Sequence, residues 1–197
     1  MTRFPRLAPL ALLLVLPAMG ADTYKIDATH SEVSFKIRHL LSKTPGHFAK
    51  FEGAIQIDEK DMAKSSVEVT IQAASISTDS EQRDNHLRSA DFFDVAKYPT
   101  ITFKSTSVKE VAKGRLEIAG DLTLHGVTKR VSFPMTNLGT MATPFKDVRA
   151  GFTDGALTLN RFDYGIAAFK GVLGEDVEIS LNVEAVKVEA PAVTPAK

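Results

Sequence analysis

Five histidines are the residues of this chain best suited to holding a metal or moving a proton: His30, His39, His47, His86 and His125. Their spacing argues against a metal. One element offers two imidazoles to one ion when they stand at i, i+4 or as His-x-His, and no pair here does so. His39 and His47 flank a loop expected from Leu40 to Gly46 and meet only if that loop folds them together. The expectation is hydrogen-bonded histidines, with no metal and no catalytic residue. The chain has no Gly-x-Ser-x-Gly elbow for a serine nucleophile. It also has no glycine-rich loop leading into Lys-Ser/Thr for a nucleotide phosphate. The carboxylate pairs Asp91 with Asp94 and Glu175 with Asp176 read as cap and turn residues.

Two arginines carry more information. Arg83-Asp84 and Arg161-Phe162-Asp163 each set a guanidinium near a carboxylate and beside aromatic residues. One reading is a pair of structural ion pairs fixing a helix and a strand end. The other is a guanidinium meeting the polar head of a ligand, for which its forked donors suit phosphate or carbonyl oxygens. The aromatic set is 12 Phe, 3 Tyr and no Trp. Phe35, Phe48, Phe51, Phe92, Phe93, Phe103, Phe133, Phe162 and Phe169 fall in strands or beside the helical segment described below. A packed core and a lined slot share the same alternation, so both readings stay open. Gly53 and Gly120 interrupt apolar faces, where they either permit a strand bend or leave room for a ligand chain.

The elements that position these residues are strands. Val33, Phe35, Ile37 and His39 alternate with Ser34, Lys36 and Arg38, the period of a half-buried strand. The pattern returns at Phe51–Ile57, Val67–Ala73, Ile101–Phe103, Leu116–Leu124 and Val127–Phe133, weakly at Leu157–Leu159, and at Val177–Ala185. Lys113-Gly114 and His125-Gly126 are hairpin turns. Asp58 to Ser65 is a longer polar connection. Many antiparallel strands with one apolar face each are satisfied by closing the sheet, which predicts an all-β, extended antiparallel barrel of about eight strands. One stretch breaks the period. Thr78 with Glu81 resembles a capping box, and Glu81 to Arg88 is expected as a short helix over the barrel mouth with Leu87 inward. Tyr98-Pro99 ends that segment.

Residues 1–20 read as a signal peptide, with Arg3 and Arg6 before an apolar stretch too short to span a bilayer and small residues at Ala18 and Gly20. Removal leaves 22 basic and 24 acidic residues. That balance gives no stripe for nucleic acid and does not favour anionic lipid surfaces. No later stretch is long and apolar enough for stable membrane insertion, and with no cysteine the fold rests on its core alone. Residues 21–188 are expected as one domain, and 189–197, with two prolines, as a disordered tail.

Several segments in this order resemble the YceI-like family of lipid-binding periplasmic proteins. They are Tyr24–Asp27, His30–Phe35, Arg83–Asp94, Gly120–Thr128, Asn160–Ile166 and Gly174–Ile179, covering nearly the whole mature chain. The resemblance implies a lipocalin-like barrel with a long internal pore and no catalytic role. It implies an amphiphilic isoprenoid ligand, a quinone or polyprenyl phosphate, in place of any cofactor. It also brings an association with stress responses. By strand parity and segment matching, Phe35, Ile37, Phe51, Ile55, Phe103, Leu122 and Phe133 are tunnel candidates. His39, Arg83, Leu87, Phe92, Phe93, Arg161 and Tyr164 are candidates for the mouth and head-group end. Three functions compete: a periplasmic carrier or store of isoprenoid lipid, an exported enzyme acting on a lipid head group, and a stress-related scaffold with a filled barrel. Pairing of two chains into a homodimer is left open.

Overall fold

The computed structural model describes residues 20–189. The expected signal segment, apart from Gly20, and the expected tail, apart from Glu189, lie outside the described residues. In chain order the strands are β1 (Asp22–Ile26), β2 (Glu32–His39), β3 (Ser42–Phe48), β4 (Phe51–Ile57), β5 (Ser66–Gln72) and β6 (Ile76–Ser77). The helix α1 (Glu81–Arg88) follows, then β7 (Thr100–Ala112), β8 (Arg115–Leu124), β9 (Val127–Ala142), β10 (Val148–Asn160) and β11 (Leu173–Lys187). Among the described residues no helix is long and apolar enough to cross a membrane.

Eight strands close a ring in the order β1-β4-β5-β7-β8-β9-β10-β11, with β11 returning to β1. All of these ladders are antiparallel. The second half of β11 pairs with β1 through Ala185↔Ile26, while its first half pairs with β2 through Ile179↔Phe35. The wall then continues through β3 to β6. Thus β1 and β2 act as one interrupted strand, as do β3 with β4 and β5 with β6. The expectation of about eight antiparallel strands and one short helix holds.

Turn chemistry accounts for the register. His125 and Gly126 both have positive φ, at 51° and 75°, the requirement of a two-residue type I′ hairpin. Several expectations need correction. β3 fills most of the loop expected between His39 and His47, leaving only Leu40 and Leu41 as the connection. In that register His47 pairs with Ser34 and His39 with Ser42, so the two histidines point to opposite faces and share no ion. β10 is far longer than the Leu157–Leu159 signal. Bulges between Gly151 and Gly155 shift its pairing with both neighbours and erase the alternation. The helix is capped at Ser80 without a side-chain hydrogen bond, and Thr78 has a different task described below. Neither Gly53 nor Gly120 leaves room for a ligand. A side chain at Gly53 would strike the Glu68 carbonyl, and one at Gly120 the Lys104 carbonyl and the Phe103 ring. Gly120 instead sits at a bulge, opposite the shift between Ser105 and Ser107.

Candidate functional site

Apolar side chains gather in two clusters. One, around Tyr24, Leu116 and Phe152, occupies the end of the barrel where the chain enters it. The other, around Phe48, Ile76 and Ile101, lies at the opposite end beneath Leu87 and Phe93 of the helical segment. Between and through them runs a cavity of about 520 Å3. The barrel interior is therefore not filled, contrary to the scaffold alternative. On β8 the residues Leu116, Ile118, Leu122 and Leu124 all face it. Leu116 to Leu124 is eight residue steps, roughly 26 Å along the strand. The cavity is thus a narrow slot.

All seven tunnel candidates, Phe35, Ile37, Phe51, Ile55, Phe103, Leu122 and Phe133, line this slot. Two of the rings owe their place to glycines. Phe35 lies over Gly46 of β3, and Phe103 over Gly120 of β8. Phe103 also packs against Phe133 at 5.5 Å between ring centres.

Six of the seven mouth candidates line the slot as well: His39, Arg83, Leu87, Phe92, Phe93 and Arg161. Tyr164 does not. It is almost fully buried and its hydroxyl has no partner. Burial raises the pKa of that phenol. Its carbonyl accepts from His125 Nδ1 at 2.9 Å, which fixes the proton on that ring nitrogen. Tyr164 therefore anchors the short 3-10 turn Arg161–Tyr164 after β10 to the His125 hairpin.

Neither arginine forms the ion pair drawn from its neighbours in sequence. Arg83 donates from Nε to Thr78 Oγ1 at 2.7 Å and from Nη2 to the Thr78 carbonyl. Asp84 accepts from the Thr78 N–H at 2.8 Å and from its hydroxyl. Thr78, buried at the end of β6, thus holds the first turn of α1 from two directions. Asp163 pairs with Lys129 at 3.1 Å. Arg161 instead holds the loop leading into β11. Its Nε donates to the Gly174 carbonyl, and its Nη1 to the carbonyls of Ile166 and Ala168, each at 2.8 Å. The guanidinium stacks on Phe162 at 4.6 Å. Burial pushes its pKa down while nearby Glu175 opposes that shift. Arg161 is 4% exposed, and its Nη2 has no hydrogen-bond partner.

The mouth is closed in part by rings. Phe92 stacks on Phe169 at 6.0 Å, and His86 meets both edge-on at 5.2 and 5.5 Å. His86 Nε2 also contacts Asp91 Oδ2 at 2.8 Å, tying the helix end to the turn after it. The charged groups among the lining residues are cationic or imidazole: Arg83, Arg161, His39 and His86, with no carboxylate.

Among the described residues one cluster of metal-ligand types lies elsewhere, formed by Asp27, His30 and Glu184. A guanidinium already occupies it. Arg149 Nη1 contacts Asp27 Oδ2 at 3.0 Å and pairs with Glu184, while its Nε reaches Asp147 at 3.1 Å.

Sequence parity missed several lining residues. Leu116 and Ile118 share the face of Leu122 and were open to the same argument. Phe152 is hidden by the β10 bulges, and Met62, in the connection before β5, carries no periodic signal.

The model of the YceI-like domain family matches residues 24–185. The chain belongs to the YceI family. Among its relatives are UPF0312 proteins. One from Ectopseudomonas mendocina is 43% identical over 173 residues, covering 86% of this chain and 90% of that protein. One from Vibrio cholerae is 40% identical over 184 residues, covering 90% and 95%. The YceI protein of Campylobacter jejuni superposes with a TM-score of 0.70 at 29% identity, over 77% of this chain and 90% of that one. BcnA of Burkholderia cenocepacia shares the fold at a TM-score of 0.75 and 24% identity, over 81% and 99%. A polyisoprenoid binding domain from Saccharophagus degradans shares it at 0.62 and 18%, over 85% and 98%. The barrel fold is thus common to the chain and these solved structures.

Proposed function

We propose that this chain is a non-catalytic carrier or store of an isoprenoid-type amphiphilic lipid, a quinone or a polyprenyl phosphate, working in the periplasm after removal of residues 1–20. The observation that carries this reading is the 520 Å3 slot, walled by aliphatic and aromatic side chains along its length. Its volume falls within the roughly 300–1,000 Å3 of small-molecule sites. An extended hydrocarbon chain in such a slot gains roughly 0.8 kcal/mol for each methylene-sized unit withdrawn from water, so capture needs neither reaction nor metal.

The mouth chemistry supports a polar head of negative or electron-rich character. Arg83 and Arg161 both border the slot there. The unpartnered Nη2 of Arg161 offers donors of the kind that suit a phosphate or a quinone carbonyl. The polyisoprenoid-binding character of the Saccharophagus degradans domain, which shares this fold, points the same way. The N-terminal pattern of Arg3, Arg6 and the apolar run supports the exported location. His86 is engaged with Asp91 and packed edge-on against two phenylalanine rings, which reads as a fastening of the mouth rather than a proton-transfer site.

The test is organic extraction of the protein purified from its native source, with mass spectrometry of the extract. A stoichiometric isoprenoid is the expected result. Phe51→Asp, which puts a carboxylate into the slot, should abolish lipid retention, and Leu122→Trp should reduce it without burying a charge. An extract free of lipid, from protein never exposed to detergent, would overturn the reading.

A further inference from the structure

We propose that the tip formed by the Leu40-Leu41 hairpin and the loop from Ile166 to Val172 is a docking surface for a lipid bilayer containing anionic headgroups. The cavity would exchange its ligand there. This rests on the lipid-carrier reading for its purpose, although the surface is defined without it. Leu40 and Leu41 are the entire connection between β2 and β3. Leu41 is fully exposed, and Leu40 and Phe169 are 54% and 52% exposed. The Leu40 N–H donates to the Val172 carbonyl at 3.1 Å, which joins the two loops into one surface. Phe169 and Val172 also line the slot, so the exposed patch runs into the apolar wall of the cavity.

Backbone conformation shows that these residues serve neither the turn nor solubility. Leu40 has φ 49° and Phe169 φ 55°, in the left-handed region that bulky side chains disfavour. A two-residue hairpin in which only the first central residue has positive φ follows the type II′ pattern, where glycine is preferred at that place. The chain carries Leu-Leu instead. Exposed leucines scattered singly need no explanation, whereas a contiguous apolar tip at a cavity mouth marks an interaction surface.

The overall charge of the chain does not favour an anionic surface, and the exposed acids Glu175 and Asp176 follow Gly174, so the case for the occupant rests on the cations set directly behind the leucines. Arg38 and Lys43 pair directly across the two legs of the hairpin, just behind the leucines, and Lys170 follows Phe169. Arg38 Nη1 bonds the Leu40 carbonyl at 3.3 Å, Lys43 pairs with the exposed Glu178, and Lys170 lies 5.6 Å from the Phe162 ring centre. An apolar tip with long cationic side chains set behind it matches an interfacial anchor. The leucines enter the acyl boundary while the cations reach the phosphates.

The experiment is flotation of the purified protein with vesicles of phosphatidylethanolamine and phosphatidylglycerol, comparing wild type with Leu40→Gly/Leu41→Ser. That variant suits the turn better and should fold at least as well. Wild type is expected to float with the vesicles, and the variant to bind roughly tenfold or more weakly. The variant should retain the same amount of lipid on purification and pass it to acceptor vesicles more slowly. Wild type should also bind more weakly to phosphatidylcholine alone. Equal flotation of the two proteins, no flotation of wild type, or equal binding to phosphatidylcholine would overturn the proposal. Failure of the carrier reading has a different signature: wild type yields no lipid on extraction while flotation still depends on Leu40 and Leu41.

Discussion

The ring of Phe35 on β2 occupies the space that a side chain on Gly46, its cross-strand partner on β3, would require. The pairing fixes one wall of the slot, because a larger residue at 46 would drive the ring toward the barrel axis. Gly46→Ala should therefore destabilise the fold by about 1–3 kcal/mol, the usual cost of overpacking. Combining it with Phe35→Leu should recover part of that loss. The check is denaturant unfolding of both single variants and the double variant. Strict additivity would show that the two residues do not share the space.

One threonine fastens the first turn of the helix over the mouth, while Arg88 ties its last turn to the Ala74 and Ile76 carbonyls. Asp84 accepts from both the N–H and the hydroxyl of Thr78, and all of these groups are buried. Asp84→Ala strands the Thr78 N–H and should cost roughly 1–3 kcal/mol. Its effect should be local, speeding amide exchange and proteolysis between Thr78 and Tyr98 before the barrel ladders respond.

Acid should loosen the turn between β1 and β2. Hydrogen bonds from Thr29 and then His30 hold the Asp27 carboxyl well below the usual carboxylate range. A carboxyl whose folded pKa lies below its unfolded value near about 4 gives stability that is fully present above that pH. This stability is lost as the pH falls through the folded pKa. Asp147, whose pKa is also lowered, chiefly by Thr143, adds in the same direction. Asp27→Asn should be less stable than wild type at pH 7 and show a shallower loss of stability below about pH 4. Urea midpoints measured across that range check it.

Strand parity made the tunnel legible. A residue that alternates inward on a paired strand must face the interior, and Phe35, Ile37, Phe51, Ile55, Phe103, Leu122 and Phe133 all do. Whether that interior is hollow was not legible, since alternation records facing and says nothing of volume. The arginines failed differently. Arg161 stands two residues from Asp163, but the two part company: Arg161 turns to backbone carbonyls and Asp163 to Lys129. Those carbonyls belong to a loop whose return path no local pattern encodes. The family segment Asn160–Ile166 points Tyr164 to the mouth. The 3-10 turn after β10 carries it away from the slot toward His125. β10 was largely invisible because its bulges break the two-residue period on which strand recognition depends.

The last strand also sets when the slot comes into being. β11 meets β10 on one flank and both β1 and β2 on the other, with Tyr24 paired to Lys187 from nearly the opposite end of the described chain. Val177, Ile179, Leu181 and Val183 of that strand form one whole side of the slot. A nascent chain still lacking β11 is an open curved sheet with two raw edges and its greasy face uncovered. Closing it requires contacts between distant ends, which is slow and exposes the chain to aggregation meanwhile. The closed cavity thus belongs to the finished molecule alone, and a fragment clipped before Leu173 lacks one of its walls.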